Sequence, residues 1–143
     1  MKFKKFCESV TPYGQIVKLD NGDDWLIGGG VGMKIPTGVV NILGSGDASE
    51  SMKHLVYDLT HADTGERVYL TDAVLFAPDG KAADIIRCFR DAKITNKAYG
   101  LLEKGDTELA VTVVVDDELN EHKYLLVLDY ENAVSGFIRC IKE

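Results

Sequence analysis

Leu109-Ala110-Val111-Thr112-Val113-Val114-Val115 and Tyr124-Leu125-Leu126-Val127-Leu128-Asp129-Tyr130 are two β-branched or apolar runs joined by the polar link Asp116 to Lys123. In the first run Leu109, Val111, Val113 and Val115 share one face, and Glu108, Ala110, Thr112 and Val114 take the other. That alternation is the period of two of a β-strand. It predicts a long antiparallel hairpin at the centre of a core, with the face of Leu109 to Val115 fully buried. The second run is apolar on both faces, Leu125 and Val127 on one and Leu126 and Leu128 on the other.

Working outward, Gln15 to Leu19 and Trp25 to Ile27 flank Asp20-Asn21-Gly22-Asp23. Asn-Gly is favoured in tight hairpins whose two central residues need positive φ, so a first hairpin is expected here. Before it, Phe3, Phe6, Cys7 and Val10 fall at helical spacing and predict a short helix ending before Pro12, with a strand as the alternative. After it, Gly28 to Gly32 ends the hairpin, Lys34 to Gly38 begins a turn, and Val39 to Leu43 reads as a short strand. Gly44 to Ser51 reads as a loop.

Leu55, Tyr57 and Leu59 alternate before Ala62-Asp63-Thr64-Gly65, and Val68 and Leu70 alternate after it, which predicts a second hairpin running on toward Phe76. Pro78-Asp79-Gly80 marks a change of period. Asp79 can cap a helix whose Ala82, Ile85, Ile86 and Phe89 form one apolar stripe. A shorter helix follows Thr95, with Ala98, Leu101 and Leu102 inward and its end at Gly105, and a last strand lies near Phe137 to Ile141.

The composition describes one globular domain over residues 1–143, with 45% hydrophobic and 27% charged residues, too apolar for disorder. A net charge of -7 argues against diffuse attraction to nucleic acid or an anionic membrane. No stretch approaches the roughly 20 apolar residues of a membrane span. Cys7, Cys88 and Cys140 are odd in number, far apart and flanked by apolar residues, as expected of reduced thiols in a cytoplasmic protein.

Arg87, Arg90, Lys93 and Lys97 recur at three- and four-residue spacing along the expected helix, the one basic face of an acidic chain. They are the candidate ligand or partner site, able to hold phosphate, an acidic partner or a second subunit. Asp116, Asp117, Glu118 and Glu121 form an acidic tip that could meet a cation or the basic face of a neighbouring copy. Gly28 to Gly32 lacks the Gly-Lys-Ser/Thr and following helix of a phosphate loop, and Pro36 argues against a dinucleotide fingerprint, so turn or strand packing is its expected role. His54, Asp58, His61 and Asp63 lie close in sequence, but a strand over Leu55 to His61 would put Asp58 opposite His61 and split the group. No catalytic residue, metal site or cofactor is therefore expected, and none of the cysteines lies where a thiol would be activated.

Trp25-Leu26-Ile27, Gly28 to Gly32 and Met33-Lys34-Ile35-Pro36-Thr37-Gly38-Val39-Val40-Asn41 resemble small uncharacterised accessory proteins of bacteriophages and prophages, over the first third of the chain. The resemblance implies a small cytoplasmic protein of an infected or lysogenic bacterium, in assembly or in interference with the host.

The expectation is a single α+β domain of antiparallel β-hairpins, forming a sheet or partly open barrel with one or two helices packed on it. The expected function is non-enzymatic binding or assembly as a homo-oligomer, motivated by the two-faced apolar strands and the separated charges. The alternative is a small hydrolase or binding protein that grips a phosphorylated small molecule through Arg87, Arg90 and Lys93.

Overall fold

The computed structural model describes residues 1–10, 14–35, 46–47, 49–64, 66–70, 74–76, 86–106 and 108–141. It is a mixed α+β fold on an open sheet. In chain order the elements are α1 (Phe3–Val10), β1 (Gln15–Lys18), β2 (Asp24–Gly28), β3 (Val31–Ile35), β4 (Gly46–Asp47), α2 (Glu50–Thr60), β5 (Arg67–Tyr69), β6 (Val74–Phe76), β7 (Ile86–Phe89), β8 (Ala92–Thr95), α3 (Asn96–Tyr99), β9 (Glu108–Val115), β10 (Glu121–Leu128) and β11 (Val134–Arg139). Eight strands form the main sheet in the order β4-β1-β2-β3-β11-β10-β9-β5, antiparallel throughout except for β1 with β4. A small sheet β6-β7-β8 stands apart from it in pairing.

The expected central hairpin is present, with Val115 opposite Glu121 and Leu109 opposite Val127. Its neighbour on the other side of β10 is β11. Alternation carries Leu109, Val111, Leu125, Val127 and Ile138 to one face of the sheet, where α1, α3 and the β7–β8 hairpin cover them with Phe6, Ala98 and Phe89. Ala110, Tyr124, Leu126, Leu128 and Phe137 point to the other face, beneath Val56 and Leu59 of α2. Both faces of β10 are thus covered within one chain. Its two-faced apolar pattern is no sign of a second copy, which corrects one motive for expecting an oligomer.

Helix α1, the β1–β2 hairpin and the long hairpin form where the sequence places them. Between β1 and β2 the tight turn differs in kind. Gly22 alone has positive φ, its N–H bonds to the Leu19 carbonyl, and Leu19 and Asp23 close the loop. This is a type I turn followed by a left-handed residue, one residue longer than the two-residue turn expected from Asn-Gly. The same loop recurs with Leu119 (φ 63) between β9 and β10, and with Asn132 (φ 61) between β10 and β11.

Three expectations are corrected. Residues Glu50–Thr60 are a helix rather than the first arm of a hairpin, N-capped by Ser49, whose Oγ accepts from the Met52 N–H at 3.3 Å. Met52, Leu55, Val56 and Leu59 face inward at helical spacing, whereas Tyr57, the middle residue of the apparent alternation, points to solvent. Arg67–Tyr69 is a strand as expected, but its partner is β9. Ile86–Phe89 is a strand, not the end of a helix, and folds back onto Ala92–Thr95 through the two-residue turn Arg90-Asp91. The rest of that expected helix, the strand Val39 to Leu43, and the turn from Pro36 onward lie outside the described residues.

Gly28 to Gly32 serves backbone geometry. Gly29 and Gly30, at φ 61 and 78, make the turn that joins β2 to β3. Val31 to Ile35 then continues as a strand, where a turn was expected to begin at Lys34. Gly32 faces Phe137 across the β3–β11 pair, and a Cβ there would lie 2.2 Å from the Phe137 ring. The missing side chain lets that ring cross the strand and stack on Trp25, centroid to centroid 5.8 Å.

Candidate functional site

The basic stripe does not assemble, because the residues that should carry it are a β-hairpin. Arg87 lies over the Tyr99 ring, 4.4 Å from its centroid, and donates from Nε to Asn96 Oδ1. Its guanidinium pins β7 to α3. Arg90 occupies the β7–β8 turn at φ 59, exposed. Lys93 pairs with Cys88 and Ile94 with Arg87, so alternation puts Arg87 and Lys93 on opposite faces of this hairpin. Lys97 sits on α3, beside a hollow of about 200 Å³ formed with Ser9, Gly28 and Thr95. Arg87 and Lys93, two of the three residues expected to grip a phosphate, therefore do not face one ligand. The reading as a phosphate-gripping hydrolase loses the feature that motivated it.

The histidine group is brought together instead of being split. On a helix His54, Asp58 and His61 fall at i, i+4 and i+7, one face. With Lys18 of β1 and Asp20 and Asn21 of the β1–β2 turn they border a hollow of about 620 Å³. His61 is engaged locally. Its ring stacks on Tyr57 at 4.1 Å, and its Nδ1 lies 2.8 Å from the Tyr57 carbonyl, which can only accept, so Nδ1 carries the proton. Among the described residues no three His, Cys, Asp or Glu side chains come close enough together to hold a metal ion.

At the outer end of the long hairpin lies an arrangement that the sequence reading missed. Asp116 accepts from the Glu118 and Asn120 N–H groups through Oδ1, 2.9 Å each, and its Oδ2 lies 2.8 Å from His122 Nε2. Arg139 Nη2 lies 2.9 Å from His122 Nδ1. A guanidinium only donates, so Nδ1 accepts and the proton of a neutral ring sits on Nε2, aimed at Asp116. The His122 hydrogen bond, helped by the turn N–H groups, holds the Asp116 carboxyl below the usual range. Asp116 is therefore committed to the turn and to His122. One signal was available: His122 and Asp116 bracket a turn closed by an Asp whose carboxylate takes two backbone N–H groups.

Close by, Lys123 bonds Asp91 at 3.0 Å, tying the β7–β8 turn to the sheet and holding the Asp91 carboxyl low. Cys140 is buried beneath them, and burial pushes its thiol up to about 11. All three cysteines are free. A thiol held up in this way is protonated at neutral pH and is a poor nucleophile.

On the opposite face of the sheet a second polar group gathers beside the glycine turn. Gln15, Tyr124 and Arg139 meet Ile27, Met52, Leu55 and Phe137 around a cavity of about 270 Å³ under the first half of α2. Burial raises the Tyr124 hydroxyl, and the nearby Arg139 charge pulls it back.

Comparison with family models, curated proteins and solved structures finds no match to this chain. No helix among the described residues is long and apolar enough to cross a membrane.

Proposed function

We propose that the protein is a non-enzymatic binding or assembly protein that acts as a homo-oligomer, two copies joining through the free edge of β9. The observation that supports this reading is the state of that edge. Strand β5 pairs with β9 only as far as Ala110, and the Val111 N–H bonds back to the Glu66 carbonyl. Because successive backbone groups alternate in direction, those of Val113 and Val115 point the same way as those of Val111, away from β10. Beyond Glu66 no described residue pairs with them. Their side chains are 48% and 52% exposed. Thr112 to Val115 carries none of the charges, prolines or bulges that usually blunt an edge.

The occupant this edge fits is itself. In an antiparallel pair centred on Val114, Val113 of one copy lies opposite Val115 of the other, twice over. Each such pair exchanges both backbone hydrogen bonds and joins two valines on one face. The strand turns away at Asp116, so the second copy ends beside Glu66, where the chain leads into β5. Two sheets become one.

Sedimentation equilibrium at tens of micromolar tests this. A dimer is expected, and Val113→Lys with Val115→Lys should convert it to a monomer without unfolding it, because both side chains are largely in solvent. A monomeric wild type, or a dimer indifferent to both substitutions, would refute the reading.

A further inference from the structure

We propose that the cavity beneath the first half of α2 binds a small monocarboxylate with an apolar body. Arg139 is the first reason. Its guanidinium donates to a neutral imidazole, which cannot cancel its charge, and no carboxylate of the described residues forms an ion pair with it. In a chain with a net charge of -7, a cation left in this way at the rim of a cavity is set for an anion from outside.

The cavity walls say what the rest of that anion should be. Ile27, Met52, Leu55 and Phe137 are apolar, and at the polar end Gln15 and Tyr124 line the cavity with the exposed Arg139, whose charge acts on the Tyr124 hydroxyl. A carboxylate can take two parallel N–H groups from the guanidinium and a third hydrogen bond from the hydroxyl, while its hydrocarbon part covers the apolar wall. A single guanidinium balances one negative charge. A phosphate dianion would leave the second charge uncompensated against that wall. A volume of about 270 Å³ lies at the small end of ligand sites, which suits a short fatty acid or a phenylacetate rather than a large ligand. Two features keep the site ready. His122, held by Asp116, fixes the guanidinium, and Gly29 and Gly30 keep side chains off the turn at the cavity's edge.

The test is calorimetric titration of the full chain with hexanoate and phenylacetate, against hexanol, phenylethanol and inorganic phosphate. The acids should bind at millimolar concentration or tighter, and the matching alcohols at least tenfold more weakly. Arg139→Gln should abolish the difference between acid and alcohol while the far-ultraviolet dichroism stays unchanged, and Tyr124→Phe should weaken the acids severalfold. The Val113→Lys, Val115→Lys protein should bind them as the wild type does, since those valines lie on the other face of the sheet. Acids that fail to bind, acids and alcohols that bind alike, phosphate that binds better, or an Arg139→Gln protein that still selects the acid would each overturn the assignment.

Discussion

The root and the outer end of the β9–β10 hairpin are built from the same residues in the same alternation, and they end in opposite environments. At the root Leu109, Ala110 and Val111 face Leu125, Leu126 and Val127, all buried, with one face under α1, α3 and β7–β8 and the other under α2. Four residues on, Val113 and Val115 continue the face of Leu109 and Val111 and are half in solvent. Periodicity states which side chains share a face. Whether a face is covered depends on where other elements end, and the covering layers stop short of the turn.

The root should therefore carry the stability of the hairpin and the outer end very little. Leu126→Ala, beneath Val56 and Leu59, should cost about 2–5 kcal/mol in urea unfolding, while Val113→Ala should change the stability of the separate monomer, at protein concentrations too low for association, by less than about 0.5 kcal/mol. Equal losses at the two positions would break the comparison.

The outer end should even admit improvement. Leu119 is 82% exposed and holds φ 63, a conformation that costs a side-chain-bearing residue about 1–2 kcal/mol and glycine almost nothing. Leu119→Gly should raise the unfolding midpoint by an amount corresponding to about 1 kcal/mol, less the extra freedom that glycine gives the unfolded chain. A lower midpoint would mean that the Leu119 side chain holds something in place.

The smallest effect is electrostatic and shows in pH. The Asp116 carboxyl titrates in the folded protein below its unfolded value of 3.8, so its contribution is complete above that value and is lost as pH falls toward the folded one. Asp116→Asn keeps an oxygen for the Glu118 and Asn120 N–H groups and removes the charge. It should flatten the acid limb of stability below about pH 4. An unaltered acid limb would show that the charge on Asp116 does not matter to the hairpin.

Two segments show where local pattern misleads. Leu55, Tyr57 and Leu59 alternate like a strand, yet the same stretch contains Met52, Leu55, Val56 and Leu59 at helical spacing behind a Ser cap. Both periods were present in the letters, and burial against the sheet selected the helical one. Ile86 to Phe89 errs the other way. Its spacing to Ile85 and Ala82 suits a helix, and its turn, Arg90-Asp91, has no glycine or asparagine to announce a hairpin. The candidate site followed the segment that carried it. Arg87, Arg90, Lys93 and Lys97 form a stripe only on a helix, and His54, Asp58 and His61 share a face only on one. The Asp116, His122 and Arg139 relay joins a turn residue and the start of β10 to β11, 17 positions further on from His122, a separation no local window spans.

By itself the sequence determined the α+β class, the long central hairpin, the β1–β2 hairpin, α1 and the turn at Gly29-Gly30, because each follows from side-chain period and backbone preference within a few neighbouring residues. Only the tertiary structure decided that residues 50–60 coil and 86–95 pair, that β10 is buried on both faces by its own chain, and that, among the described residues, Arg139 has no carboxylate in ion-pair contact and Val113 and Val115 are half exposed. Those outcomes depend on which elements reach a given face of the sheet, and that is set by packing between segments far apart in the chain.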